Sequence, residues 1–264
     1  MKQQKEVQQK KGWSISTILL LLAGIAMIVA ALALLVPSLW DRKQSNDAYD
    51  TLNEECVNIE ANITVDEEKN PNWWYEDVKI DMTSLQEINP DIVGWIRFDN
   101  IETISYPVLY SGDNSSYLRT DIYGRSATAG CIFIEAANQP DLSDYHTIIY
   151  GHNMRNLSMF GRLKEYKEDG FYEDHQYFTI YTPDVAYRYQ IFAYRDVPET
   201  HSVYTVGFGP DENYQSFLNE MMQHSYIDTG IDVTKEDKVV TLSTCSTTGN
   251  RFVVHAVLVD EHCY

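Results

Sequence analysis

The chain has 264 residues, with 20 basic and 39 acidic side chains and a formal charge of −19. Residues 1–43 hold six basic groups and two acidic ones, leaving 14 basic against 37 acidic groups, a net −23, over residues 44–264. Such a surface repels phosphate backbones and argues against nucleic acid as a partner. The length suffices for one sizeable domain with a terminal extension. Lys2, Lys5, Lys10 and Lys11, opposed by Glu6 alone, precede the uncharged run Ile15–Val36. As a helix those 22 residues rise about 33 Å, which matches the hydrocarbon core of a bilayer. Residues 1–13 therefore read as a cytoplasmic N-terminus and 14–39 as a transmembrane signal anchor, with the positive flank inside. Residues 40–80 follow as a juxtamembrane helical linker and 81–264 as an extracellular domain. The competing reading is a cleavable signal peptide cut near Ala31-Leu32-Ala33. The apolar run exceeds the roughly 7–15 residues of a usual signal h-region, which favours retention.

Beyond a short helix at 83–88, ended by Asn89-Pro90, β-branched and aromatic runs recur with turn punctuation. They predict strands at Ile92–Phe98, Ile104–Leu109, Cys131–Ile134, Thr147–Tyr150, Tyr177–Tyr181, Ala186–Ala193, Val239–Cys245 and Arg251–Val259. Eight short strands with few long helices suggest a closed or nearly closed barrel. Helical insertions are expected near Ser158–Tyr166 and at Asp211–His224. In the second, Tyr214, Phe217, Leu218, Met221 and Met222 recur at helical spacing and should pack on the barrel.

Chemistry concentrates at two strand ends. Val-Val-Thr-Leu-Ser-Thr-Cys (239–245) carries a thiol to the end of a strand. After the turn Ser246–Asn250, the next strand opens with Arg251. In an antiparallel hairpin Cys245 and Arg251 would face each other within roughly 5 Å, and a fixed cation beside a thiol lowers its pKa. The plain alternative is a packed cysteine with an arginine stem nearby. The segment Ile148–Met154, IIYGHNM, leaves His152 just beyond a strand end, after Gly151, where an imidazole can exchange protons near neutral pH. His255 would lie about 13 Å along the strand from Arg251. His146, His175, His201, His224 and His262 have no comparable setting. Cys56, Cys131 and Cys263 show no CxxC pair or metal spacing, and Cys131 reads as packing. A bridge between Cys56 and Cys263 stays open. No metal or cofactor is expected, because no carboxylate loop has calcium-like spacing.

The order His152, then Cys245 in TLSTC, then Arg251 resembles the sortases, membrane-anchored cysteine transpeptidases of Gram-positive bacteria. INPDIVGWIRF (88–98), DNSSYL (113–118), IIYGHNM and the helix ahead of the cysteine strand resemble class B; the likeness spans roughly residues 80–260. It departs at the short Cys-to-Arg loop, where Ser246 stands at a position that can be acidic in the class. The resemblance implies a mainly β fold: an eight-stranded sortase-type β-barrel with N-terminal helices and a helix inserted between strands 6 and 7. It also implies a thiol-dependent transpeptidase that cleaves a C-terminal sorting motif after Thr through a thioacyl-enzyme. The partners implied are surface proteins bearing that motif, a peptidoglycan amine and, through the anchor, the bilayer. Cys245 would be the nucleophile, His152 the acid and base, and Arg251 the oxyanion or backbone donor. Matching positions imply Asn114 and Leu118 in the substrate groove, with Tyr150 and Ser243 beside the triad. Ser243 also follows from strand alternation with Cys245. Thr200, Tyr204 and Thr205 are carried over from the connection between strands 6 and 7. The alternatives are a pilin-polymerising sortase, a hydrolytic cell-wall cysteine peptidase and a non-catalytic scaffold or adhesion module. Pilin-polymerising members often carry a lid and a second C-terminal apolar segment, and Asp260–Tyr264 is not apolar. Papain-like peptidases place Cys before His, the reverse of the order here.

Overall fold

The structure, a computed structural model, describes residues 15–59 and 71–264. The expected cytoplasmic N-terminus, 1–13, lies outside the described residues, as does 60–70 of the expected linker. Two compact units are present, Met1–Lys43 and Gln44–Tyr264. The first contains the apolar part of helix α1 (Ile15–Cys56), which is long and apolar enough to cross a membrane.

In the second unit, α1 is helical only to Cys56, which shortens the expected helical linker. The chain then forms β1 (Val57–Ile59), which pairs antiparallel with β2 (Val78–Ile80) beyond the four-residue helix α2 (Trp73–Glu76). Tyr49, Leu52, Cys56, Trp73, Trp74 and Val78 are all buried in the main core. Tyr49, Leu52 and Cys56 step by three and four residues along one helical face, so this polar-looking segment has an apolar stripe to bury. Helix α3 (Met82–Ile88) is capped by Asp81, whose Oδ1 accepts the Ser84 N–H at 3.0 Å.

Eight strands close the barrel: β3 (Ile92–Phe98), β4 (Ser105–Leu109), β5 (Ile132–Ile134), β6 (His146–Tyr150), β7 (Tyr177–Tyr181), β8 (Val185–Pro198), β9 (Val239–Cys245) and β10 (Asn250–Cys263). Their order around it is β10-β8-β7-β3-β4-β5-β6-β9. Closure pairs every strand on both sides and removes open edges. Trp95, Phe98, Phe178, Tyr189, Val240 and Leu242 are among the buried side chains of the main core. The eight expected strands are all present; β8 and β10 run further than expected, each 14 residues long.

The helix between the sixth and seventh barrel strands, α4 (Glu212–Gln223), is present. Asp211 caps it, and its Tyr214, Leu218 and Met221 are buried with Phe192, Val239 and Val253 in a second apolar cluster; Phe217 and Met222 are half-buried beside it. Arg195 of β8 grips the helix through Glu220, with Nη2 to Oε1 at 2.6 Å. The first insertion differs from expectation. Ser158 and Phe160 are turn around Met159, which bridges to Asn153, and a 3₁₀ helix covers Gly161–Lys167. Leu157 and Met159 have positive φ, which interrupts right-handed helix there.

Candidate active site

Strand direction assembles the site. β6 and β9 are parallel, with Tyr150 opposite Ser243, so both strands end on the same side of the barrel. β10 runs antiparallel to β9 and begins there, with Arg251 directly opposite Cys245. A residue just past β6, the last residue of β9 and a residue at the start of β10 therefore share one rim. They are His152, Cys245 and Arg251, and all three line a groove of about 290 Å³. Asn114, Leu118, Phe133, Tyr150, Gly151, Ser243 and Thr244 complete its lining.

Cys245 is exposed, and its thiol is held below the ordinary cysteine range, first by the hydrogen bond with His152 and then by the Arg251 charge. The same bond raises the His152 imidazolium pKa, against partial burial. The two shifts agree in sense, as expected of a thiolate–imidazolium pair. His152 Nε2 lies 2.7 Å from the Leu118 carbonyl oxygen. A carbonyl only accepts, so Nε2 carries a proton and Nδ1 holds the lone pair of the neutral ring. The Leu118 carbonyl thus orients the imidazole. Its position depends on Gly130, which has φ +56°; a Cβ there would sit 2.4 Å from the Tyr117 oxygen and 2.7 Å from the Leu118 oxygen.

Further bonds lock the rim. Gly151 N donates to Ser243 O at 3.1 Å, and Asn153 Nδ2 to Cys245 O at 2.7 Å. Gly151 is needed here for space, since a Cβ would come 2.4 Å from Ile132 Cδ1 and 2.5 Å from Phe160 Cδ2. On the groove wall, Glu135 accepts from Asn114 Nδ2 and from the Tyr150 hydroxyl, both at 2.7 Å. Ser243 Oγ and Tyr204 Oη are 2.9 Å apart. Arg251 Nη1 donates to the Asn250 carbonyl at 3.2 Å, and Nη2 meets Glu199 Oε2 at 3.0 Å. Ser246 Oγ, where the resemblance is weakest, accepts from Lys167 Nζ at 3.3 Å, and that ammonium also meets Asp196 Oδ2 at 2.6 Å.

The structure thus brings Asn114, Leu118, Tyr150, Ser243 and the three triad residues together in the groove. Tyr204 stands behind Ser243, whereas Thr200 and Thr205 are exposed and outside the lining. Glu135 and Glu199 escaped sequence reading, whereas Phe133, Thr244 and Asn153 lay within the quoted strand and motifs but were given no role. Glu135, one residue past an apolar strand, carried only a hint. Cys56 and Cys263 are free, as are Cys131 and Cys245. A larger cleft of about 640 Å³, lined by Tyr49, Asp50 and Arg162 among others, contains neither a thiol nor an imidazole.

The family model of the sortase domain matches residues 96–259. Sortase B of Staphylococcus aureus is 35% identical over 189 residues, which are 70% of this chain and 77% of that protein. Sortase B of Listeria monocytogenes is 32% identical over 189 residues, 70% of this chain and 76% of its own length. The chain belongs to the sortase family, class B. Among solved structures, sortase B of B. anthracis in complex with AAEK1 superposes with a TM-score of 0.70 at 30% identity, covering 84% of this chain and 99% of that one. Clostridium perfringens sortase B gives a TM-score of 0.64 at 30% identity over 68% of this chain and all of its own. As a class B sortase the protein is a cysteine transpeptidase. Its barrel explains why His152, Cys245 and Arg251 meet: parallel β6 and β9 bring the first two to one rim, and the β9–β10 hairpin adds the third.

Proposed function

We propose that Cys245 attacks the threonine carbonyl of a C-terminal sorting motif and that the acyl group passes to a peptidoglycan amine. The observation that carries this reading is the meeting of His152, Cys245 and Arg251 in one groove, with Arg251 directly opposite the thiol in the strand register. In the first step the thiolate forms a bond to the carbonyl carbon, and the oxygen takes negative charge near the Arg251 donors. The C–N bond then breaks, and the imidazolium of His152 gives its proton to the departing amine. In the second step neutral His152 takes a proton from the incoming amine as nitrogen attacks the thioester, and the thiolate leaves. Tyr150, Asn114 and Glu135 form a connected wall against which the motif would lie, with Leu118 at its rim and Ser243, backed by Tyr204, beside the thiol. Thr200 and Thr205 act, on this reading, only through the connection that carries Tyr204.

The apolar helix supplies the anchor: residues 14–39 span the bilayer once, the basic N-terminus stays in the cytoplasm, and the barrel faces the cell wall. The clients are surface proteins bearing the motif. To test this, detergent-solubilised full chain is incubated with a panel of sorting-motif peptides, with and without an amine acceptor, and products are read by mass spectrometry. Cleavage after Thr and an amine-dependent adduct are expected, and both should vanish in Cys245→Ala. Turnover that persists in Cys245→Ala, or hydrolysis with no adduct at any amine concentration, would sink the proposal.

A further inference from the structure

Arg251 meets a carboxylate as well as a thiol. Glu199 follows the last residue of β8, and β8 ends against the Cys-to-Arg turn, with Val197 opposite Arg251 and Pro198 opposite Asn250. The Glu199 N–H donates to the Gly249 carbonyl at 3.1 Å, which ties its backbone to that turn. From this fixed base Oε2 reaches Arg251 Nη2 at 3.0 Å. Arg251 Nη1 donates to the Asn250 carbonyl, so both terminal nitrogens of the planar fork are engaged by oxygen acceptors. The pair is partly exposed, and such pairs add little to folding stability.

A guanidinium released from Glu199 would have the Cys245 thiolate, its cross-strand neighbour, as an anion to approach. That contact would stabilise the thiolate, and a more acidic thiol is a weaker nucleophile. It would also occupy the donors that an acyl oxygen needs. We propose that Glu199 is a positioning residue: its carboxylate holds the Arg251 guanidinium off the Cys245 sulfur and leaves it free for the acyl oxygen of the substrate. This deepens the transpeptidase reading and rests on it for the role of Arg251. The other ionisable groups around the guanidinium are Tyr150 from β6, Tyr204 from the 3₁₀ turn Ser202–Tyr204 and Cys245 itself, with His152 sharing the groove lining. The neighbouring tyrosines are both raised by burial, so they stay neutral at working pH and do not substitute for the carboxylate.

The test is a double-mutant cycle on full-length protein in detergent, with the rate of Cys245 alkylation by iodoacetamide followed against pH by site-resolved mass spectrometry. In Glu199→Ala with Arg251 present, the alkylation midpoint should fall by about half a pH unit or more. In an Arg251→Met background the same substitution removes only a distant charge, and the fall should be at most about half as large. Glu199→Asp should restore the wild-type midpoint. On a sorting peptide, Glu199→Ala should lower kcat by about 3- to 10-fold with KM changed less than about twofold. Equal shifts in the two backgrounds, or an unchanged kcat beside a changed midpoint, overturn the proposal. If wild-type protein cleaves no sorting peptide, the transpeptidase reading fails, while the alkylation cycle still decides whether Glu199 acts through Arg251.

Discussion

Strand β9 presents two histidine environments on one face, and they behave in opposite ways. At its exposed end Cys245 meets His152, whose imidazolium pKa is raised by the thiol. Four residues earlier, Thr241 Oγ1 lies 2.7 Å from His146 Nε2 and 2.9 Å from His255 Nδ1. Both of these rings are fully buried, and burial drives their pKa values down, that of His146 to about 4. His146 Nδ1 faces the Thr205 carbonyl at 2.8 Å and so must carry the proton. Nε2 then accepts from Thr241, and the threonine oxygen accepts in turn from His255 Nδ1. This relay fixes three neutral groups and moves no charge. The lesson is that an imidazole becomes a proton carrier here through an anionic partner and access to water, not through being part of a hydrogen-bond chain.

Breaking the exposed end should have the larger effect. On the proposed mechanism His152→Ala removes the acid and base and should lower kcat/KM for peptide cleavage by about 10²- to 10⁴-fold. It also removes the main cause of the low Cys245 pKa. Thiolate exists above the thiol pKa, so the alkylation profile should move to higher pH in the variant. A profile that stayed in place would show that His152 does not activate the thiol. Gly130→Ala attacks the same end indirectly. The residue would occupy a left-handed backbone and press on the Leu118 carbonyl that orients His152. A stability loss of about 1–3 kcal/mol is expected from the backbone alone. Peptide cleavage measured well below the melting temperature should fall as well. A variant with reduced Tm and full kcat would separate the carbonyl from the orientation of the ring.

At the buried end, Thr241→Val keeps the shape and removes the shared hydroxyl. Two buried ring nitrogens then lose a partner, at a cost of about 1–3 kcal/mol. Urea unfolding should report that loss while the Cys245 alkylation midpoint stays fixed. A shifted midpoint would mean that the two environments are coupled along β9.

Much of this arrangement was legible in the chain. β-branched runs announced all eight barrel strands, and the apolar 22-residue run announced a helix long enough to span a membrane. The sequence placed Cys245 and Arg251 across one turn because a hairpin leaves little choice, and the register bears this out. What remained hidden depends on contacts between distant segments. Glu199 is one of 39 acidic side chains, and nothing local distinguishes it. Gly130 stands in no quoted motif, and its need for glycine comes from the Tyr117–Leu118 backbone lying against it. The helix up to Cys56 read only as a juxtamembrane linker because three buried residues, Tyr49, Leu52 and Cys56, are spread among charged neighbours. His146 and His255 lacked any motif, since their partner is a threonine ordinary to any strand.

The smallest expected effect concerns a second thiol, and it sharpens the same contrast. Cys131 sits just before β5, buried, with Sγ 3.1 Å from the Thr120 carbonyl and 3.5 Å from the Tyr49 hydroxyl. Burial pushes its pKa up to about 12, whereas Cys245 is shifted down. At pH 8 the first is a protonated donor shielded from reagent, and the second is partly thiolate. Iodoacetamide should therefore label Cys245 in the native protein and reach Cys131 only after denaturation. Cys131→Ser keeps a donor for the Thr120 carbonyl and exchanges sulfur for a smaller oxygen, so a loss of about 1 kcal/mol or less is expected, with kcat unchanged. Native labelling of Cys131 at a rate near that of Cys245 would show that the segment holding Leu118 against His152 opens to solvent, and the fixed carbonyl could then not be what orients the ring.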